Sequence, residues 1–205
     1  LRYASADDGA AEHTFSLTYS PSAIFYGDNS DRNTINHRFG LRLTKSMPKT
    51  SIRFNLDYTS SEGSDRFVGG FIDRNSIRAG LAISHILTGK TRLDFDTYYN
   101  LDQFGNGGLF DDTTYGANLA LLYQVTGKLA IGPQIGYGVS ELDGGSRDQD
   151  FYSVGLKFEY ELSGKTYITG NIGHSNRSFS GAGASSDFSA VTWQVGASYK
   201  LSDKT

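Results

Sequence analysis

Between residues 129 and 140 the odd positions read Leu129, Ile131, Pro133, Ile135, Tyr137 and Val139. The even positions read Ala130, Gly132, Gln134, Gly136, Gly138 and Ser140. An apolar residue at every second position marks a half-buried strand, because successive side chains of an extended chain point to opposite faces. The same period returns along the chain. Tyr152, Val154, Leu156, Phe158, Tyr160 and Leu162 alternate with Ser153, Gly155, Lys157, Glu159 and Glu161, and Val191, Trp193, Val195, Ala197, Tyr199 and Leu201 with Thr192, Gln194, Gly196, Ser198 and Lys200. Earlier segments behave alike, with Phe39, Leu41 and Leu43 set against Arg38, Gly40 and Arg42. This alternation predicts ten strands, at about 13–26, 33–44, 50–60, 73–87, 91–104, 112–125, 129–142, 150–162, 166–179 and 187–201. The segment 166–179 alternates least clearly. No segment carries the 3.6-residue period of a helix.

The connectors alternate as well. One set is short: Ser46-Met47-Pro48-Lys49, Thr88-Gly89-Lys90, Thr126-Gly127-Lys128 and Ser163-Gly164-Lys165. Gly-Lys pairs are expected to supply the positive backbone angles of two-residue hairpins. The other set, at 27–32, 60–71, 105–111, 143–149 and 180–186, is longer and rich in Gly, Ser and Asp. One hairpin plus one long loop is therefore the repeating unit.

Strand length separates two architectures. Strands of soluble sheets mostly run 3–10 residues, whereas these run about 12 to 15. Thirteen residues span roughly 43 Å, and a tilt near 40° leaves roughly 33 Å of height, enough to cross a membrane as a barrel wall. Short turns on one side and long polar loops on the other are the asymmetry of an outer-membrane barrel. Open edges cannot sit in lipid, so such a sheet must close. Tyr58, Tyr99, Tyr115, Tyr137 and Tyr152 lie toward the long-loop ends, and Tyr123, Tyr160 and Tyr199 toward the short turns, as two aromatic girdles would. The competing reading is a soluble sandwich or lectin, in which Tyr is simply common in sheets.

Composition narrows this further. Hydrophobic residues are 38% of the 205, with 13 Tyr, 13 Phe, 1 Trp and 25 Gly. The mean hydropathy of -0.39 and the lack of a long apolar run exclude spanning helices, but not a barrel, in which only alternate residues meet lipid. No cysteine occurs, so there is no disulfide framework or thiolate metal site. A net charge of -3 without a basic block argues against nucleic acid as a partner.

The polar face carries Arg38, Arg42, Arg53, Asp57, Arg78, Arg92, Asp94, Asp96, Lys157, Glu159, Glu161 and Lys200. These charges are expected either to line a pore and tune ion selectivity or to form cross-strand ion pairs that stiffen the wall. The first four strands lean basic and the middle ones acidic. Four histidines, His13, His37, His85 and His174, show no catalytic constellation: His174, Ser175 and Asn176 are consecutive on a strand and point to opposite faces. Acidic loop pairs (Asp28 and Asp31, Asp111 and Asp112, Asp143 and Asp148) fit divalent ions beside lipopolysaccharide or plain solvated turns. No zinc or EF-hand spacing occurs, and the reading calls for no metal and no cofactor.

Tyr19-Ser20-Pro21-Ser22-Ala23-Ile24-Phe25-Tyr26, Asn33-Thr34-Ile35-Asn36-His37, Asp65-Arg66-Phe67-Val68-Gly69-Gly70-Phe71 and Thr192-Trp193-Gln194-Val195-Gly196 carry a resemblance, together with the Ser/Thr-Gly-Lys turns. Across nearly its whole length the chain is similar to bacterial outer-membrane β-barrel proteins grouped as β-barrel porins. The resemblance implies an all-β, antiparallel up-and-down transmembrane β-barrel in the Gram-negative outer membrane. Its surroundings would be outer-membrane lipid, lipopolysaccharide and the barrel-assembly machinery, which reads a terminal aromatic in the last strand. The ending Ser202-Asp203-Lys204-Thr205 is turn-like, and Leu1-Arg2-Tyr3-Ala4 reads like the tail of a strand before the polar turn Ser5 to Glu12. A barrel fragment is therefore expected; the rival is a complete ten-stranded barrel. The functional expectation is a single-domain (1–205), non-enzymatic, porin-like barrel that passes small solutes or belongs to an export route. The alternatives are a non-conducting structural or adhesin-like barrel and an outer-membrane hydrolase.

Overall fold

The computed structural model describes residues 2–7, 11–28, 32–65, 70–105, 109–143, 148–180 and 186–199. Eleven strands follow one another: β1 (Arg2–Asp7), β2 (Ala11–Ile24), β3 (Thr34–Ser46), β4 (Thr50–Asp65), β5 (Gly70–Ile86), β6 (Thr91–Phe104), β7 (Asp112–Gln124), β8 (Leu129–Leu142), β9 (Asp148–Ser163), β10 (Thr166–Ser180) and β11 (Phe188–Tyr199). They form one sheet in sequence order, every neighbouring pair antiparallel. The ten expected strands are all present, the poorly alternating 166–179 among them, and short β1 precedes them by pairing with Ala11–Ser16. Among the described residues β1 and β11 do not pair, so the sheet is open.

The register keeps the two faces apart. One row runs Leu17–Leu41–Leu56–Ala79–Tyr99–Tyr115–Val139 across β2 to β8, each residue opposite the next. This apolar face is not covered by protein: Val191 is 71% exposed, Trp193 74%, Tyr137 56% and Val154 54%. Among the described residues the buried hydrophobic side chains are Ile72, Ala120 and Leu122, and all three lie on the opposite, polar face. A soluble sandwich would bury its Tyr-and-Leu faces against a second layer. Here the apolar face is left open, as lipid contact requires.

Two features depart from the sequence expectation. The stretch 60–71 was expected as a long loop, but β4 runs into it as far as Asp65 and β5 starts within it at Gly70, with Glu62 opposite Asp73 and Gly63 opposite Ile72. Backbone pairing carries the hairpin beyond the point where side-chain alternation stops. The Gly-Lys turns close differently as well. Gly89, Gly127 and Gly164 do not occupy the left-handed region. Instead the preceding hydroxyl accepts backbone amides: Thr126 Oγ1 from Lys128 (3.2 Å) and Leu129 (3.0 Å), with Thr88 and Ser163 doing the same in their own turns. Parts of the loops at 27–32, 60–71, 105–111, 143–149 and 180–186, with Asp31, Lys200 and the 202–205 ending, lie outside the described residues.

The wall bends at β8. Pro133 has no amide hydrogen to give, and the β7–β8 ladder is interrupted between Ala120–Gln134 and Tyr123–Ile131. The backbones of β7 and β9 come within 8 Å of each other across β8, closer than the roughly 9.6 Å of two flat strand spacings. Gly132, Gly136 and Gly138 face the inside of this bend; a Cβ at Gly132 would collide with the Leu121 carbonyl.

Candidate functional site

The register places Arg38, Arg42, Arg53, Asp57, Arg78, Asp94, Asp96, Lys157, Glu159 and Glu161 on one face. It places Tyr58, Tyr99, Tyr115, Tyr123, Tyr137, Tyr152, Tyr160 and Tyr199 on the other. Contacts across the sheet identify the charged face as the concave one. Arg92 of β6 donates to Glu159 of β9 at 2.6 Å, and Lys157 of β9 donates to Asp94 of β6 at 3.1 Å. Strands three apart in a flat sheet sit roughly 14 Å from one another, so these side chains meet because the sheet curls over them.

This crossbar is a closed network. Arg92 forks onto both Asp94 oxygens at 2.9 and 3.0 Å, and Ser84 donates to Asp94 at 2.7 Å. Asp94 is buried at 8% exposure and is held by one guanidinium, one ammonium and one hydroxyl. A buried carboxylate is tolerable when its lone pairs are met in this way. Above the crossbar, toward the long loops, Arg42 lies 3.6 Å from Asp57 with both side chains well exposed, a weak pair.

Nearer the long loops, Asp102 gathers Arg74 (2.9 Å), Arg78 (3.4 Å) and the Ser76 hydroxyl. Asp112 sits opposite Asp102 and accepts from Ser140 at 3.1 Å, which in turn accepts from Thr114 at 3.1 Å. The sequence reading did not single out Arg74, Ser76 or Asp102. The signal was there: all three fall on the polar parity of their strands. Tyr98 and Phe151 lie flat along the inner wall, where a Cβ on Gly116 or Gly138 would strike them. Arg177 stacks over the Phe151 ring at 5.7 Å.

The remaining sequence candidates settle elsewhere. His37 hydrogen-bonds Tyr19 at 2.9 Å on the apolar face, and His85 hydrogen-bonds Thr50 at 2.8 Å near the short turns. Among the described residues no histidine is hydrogen-bonded to an inward Asp or Ser. Of the acidic loop residues, Asp111 accepts the Phe104 amide and Asp148 the Leu142 amide, each at the base of its loop. On the outer face Tyr115 donates to Glu141 at 3.2 Å and Tyr137 to Asp150 at 2.6 Å, while Tyr152 accepts from Asn176 at 2.7 Å.

No family model matches the chain, and no curated protein matches it in sequence. Solved structures do match in fold. A loop-deletion mutant of OmpT, an outer membrane protein of Vibrio cholerae, superimposes with a TM-score of 0.58 at 14% identity, covering 92% of this chain and 62% of that one. OmpT expressed in the outer membrane gives 0.57 at 13% identity, covering 92% and 64%. LpxR from Salmonella typhimurium covers 97% of this chain and 87% of its own at 12% identity and a TM-score of 0.43. The chain thus spans less than two thirds of the OmpT length.

The chain has the fold of the bacterial outer-membrane β-barrel proteins, and its strands make an open part of such a wall. That fold and its uncovered apolar face place it in the bacterial outer membrane. The expectation that the chain is not an enzyme does not stand. It rested on the lack of a catalytic constellation around the histidines, and a wall of this outer-membrane fold is compatible with enzyme activity. The fold therefore gives no ground for excluding catalysis.

Proposed function

We propose that the chain forms the wall of a water-filled outer-membrane channel that passes small hydrophilic solutes. The observation that supports this reading most directly is the charged concave face. Arg38, Arg42, Arg53 and Arg78 project from β3 to β5, and Asp94, Asp96, Glu159 and Glu161 from β6 and β9, with apolar residues on the reverse. A polar inner face opposed to a lipid-facing exterior is what a hydrated lumen needs. The convex face would meet outer-membrane lipid and the lipopolysaccharide leaflet. Passage as part of an export route uses the same lumen.

A second reading draws on the crossbar. Arg92, Asp94, Lys157 and Glu159 join β6 to β9 across the concave side, which favours a structural barrel with no conducting path. Planar-bilayer recording of the full chain decides between the two. Discrete current steps are expected from a channel, and their absence refutes it. With Arg38→Glu and Arg42→Glu combined, selectivity should move toward cations by several-fold; unchanged selectivity would remove those two residues from the lumen.

A further inference from the structure

We propose that Arg53 and Asp96 form a binding site for a small zwitterion, its carboxylate on the guanidinium and its ammonium on the aspartate. This inference rests on the channel reading and names a solute class for it. Three observations converge on the site.

The first is the cross-strand row that contains both residues. Across ten strands it reads Thr14, Thr44, Arg53, Ala82, Asp96, Asn118, Gly136, Ser153, Ser175 and Ala190, each opposite the next. Arg53 and Asp96 are the two charges in an otherwise small and uncharged course of the wall, and only the Ala82 methyl stands between them.

The second is position. Of the hollows on the concave face, one of ≈ 420 Å³ and one of ≈ 330 Å³ are both lined by Arg53, Ala82 and Asp96. The first reaches toward the long loops past Asn55 and Tyr98, and the second toward the short turns past Ser84 and Lys157. A solute moving between them crosses this row.

The third is the pattern of pairing. Arg42, Asp57, Arg92, Asp94, Lys157 and Glu159 also line these hollows, and every one is held in an ion pair. Arg53 and Asp96 are exposed to the hollows and have no hydrogen-bond or ion-pair partner. The wall thus neutralises its other charges here and leaves one of each sign open.

The spacing suits a ligand with both charges close together. Two strand spacings separate the Arg53 and Asp96 backbones, about 9.6 Å on a flat sheet. A zwitterion about 3 Å between its charged ends, with a charge-assisted hydrogen bond at each end, spans about 9 Å from guanidinium to carboxylate, a gap that two side chains rising from strands so spaced can bracket. The guanidinium fork takes a carboxylate through two parallel bonds, and Asp96 accepts from an ammonium. An anion would leave Asp96 unmatched and repelling, and a cation would do the same to Arg53.

Saturation-transfer NMR on the full chain, folded in detergent micelles, tests this without requiring conduction. The probes are L-alanine, N-acetyl-L-alanine (anion) and L-alanine methyl ester (cation). L-alanine should bind about tenfold more tightly than either analogue, one charged contact apart. Arg53→Gln and Asp96→Asn should each weaken L-alanine by about tenfold and abolish the preference. The double exchange Arg53→Asp with Asp96→Arg should retain binding, because the zwitterion can turn round; circular dichroism checks that each variant is folded. Equal binding of the three probes, or single variants without effect, overturns the site. So does the absence of any binding, the result expected if Arg53 simply closes onto Asp96. Binding without current steps would sink the channel and leave the site; current steps without binding would do the reverse.

Discussion

Gly127 and Gly132 lie five residues apart and answer to different constraints. A Cβ on Gly127 would meet nothing within 4 Å, and its φ lies outside the left-handed region. Gly127→Ala should therefore change stability by no more than about 0.5 kcal/mol in urea unfolding of the folded protein. Gly132 is pressed against the Leu121–Leu122 backbone at the bend, where nothing flexible can yield. Gly132→Val should destabilise by about 2 kcal/mol or more, in the range of other overpacking changes. Thr126→Ala, which strips the turn of the acceptor for two amides, should cost about 1 kcal/mol. The turns were legible in the sequence as turns, because Thr-Gly-Lys recurs between alternating runs. Which residue closes them was not. Composition points to the glycine, while the geometry assigns the work to the hydroxyl.

At the level of elements, the alternation fixed which side chains share a face, because one residue of slip would turn every side chain over. All the charges named from the polar parity of 33–44, 50–60, 73–87, 91–104 and 150–162 fall together on the concave face. Strand ends were less legible: the Ser, Glu and Gly of 60–64 break the alternation but still pair through the backbone. The crossbar was not legible at all. Arg92 and Glu159 are 67 residues apart, and their meeting depends on how sharply the wall turns at β8. That dependence makes the crossbar testable. Lys157→Met removes the ammonium from Asp94 and leaves a buried carboxylate on Arg92 and the Ser84 hydroxyl. A loss of about 1–2 kcal/mol is expected, less than for a fully buried pair broken outright, since Arg92 remains. A loss equal to that of Arg42→Met, whose partner Asp57 is well exposed, would mean that the crossbar does not form.

At the scale of the molecule, two properties govern what the wall can do. The first is the distribution of charge, basic on β3 to β5 and largely acidic on β6 and β9, which underlies the channel proposal. The second is the pair of edges. In an eleven-stranded meander β1 and β11 run in the same direction. Direct closure would need a parallel pair, whereas antiparallel closure takes an odd number of further strands from the same or another chain. Backbone groups on an open edge cost several kcal/mol each in hydrocarbon, so the membrane-embedded protein must satisfy them.

The claim beneath all of this is that one face of the sheet meets lipid and the other meets water. Nitroxide scanning along β9 tests it most directly. The chain has no cysteine, so single replacements from Tyr152→Cys to Glu161→Cys can be labelled one at a time in reconstituted bilayers. Collision with oxygen, which concentrates in lipid, should peak at 152, 154, 156, 158 and 160, and collision with a water-soluble nickel chelate should peak at 153, 155, 157, 159 and 161. Uniform accessibility, or the opposite phase, would contradict the account.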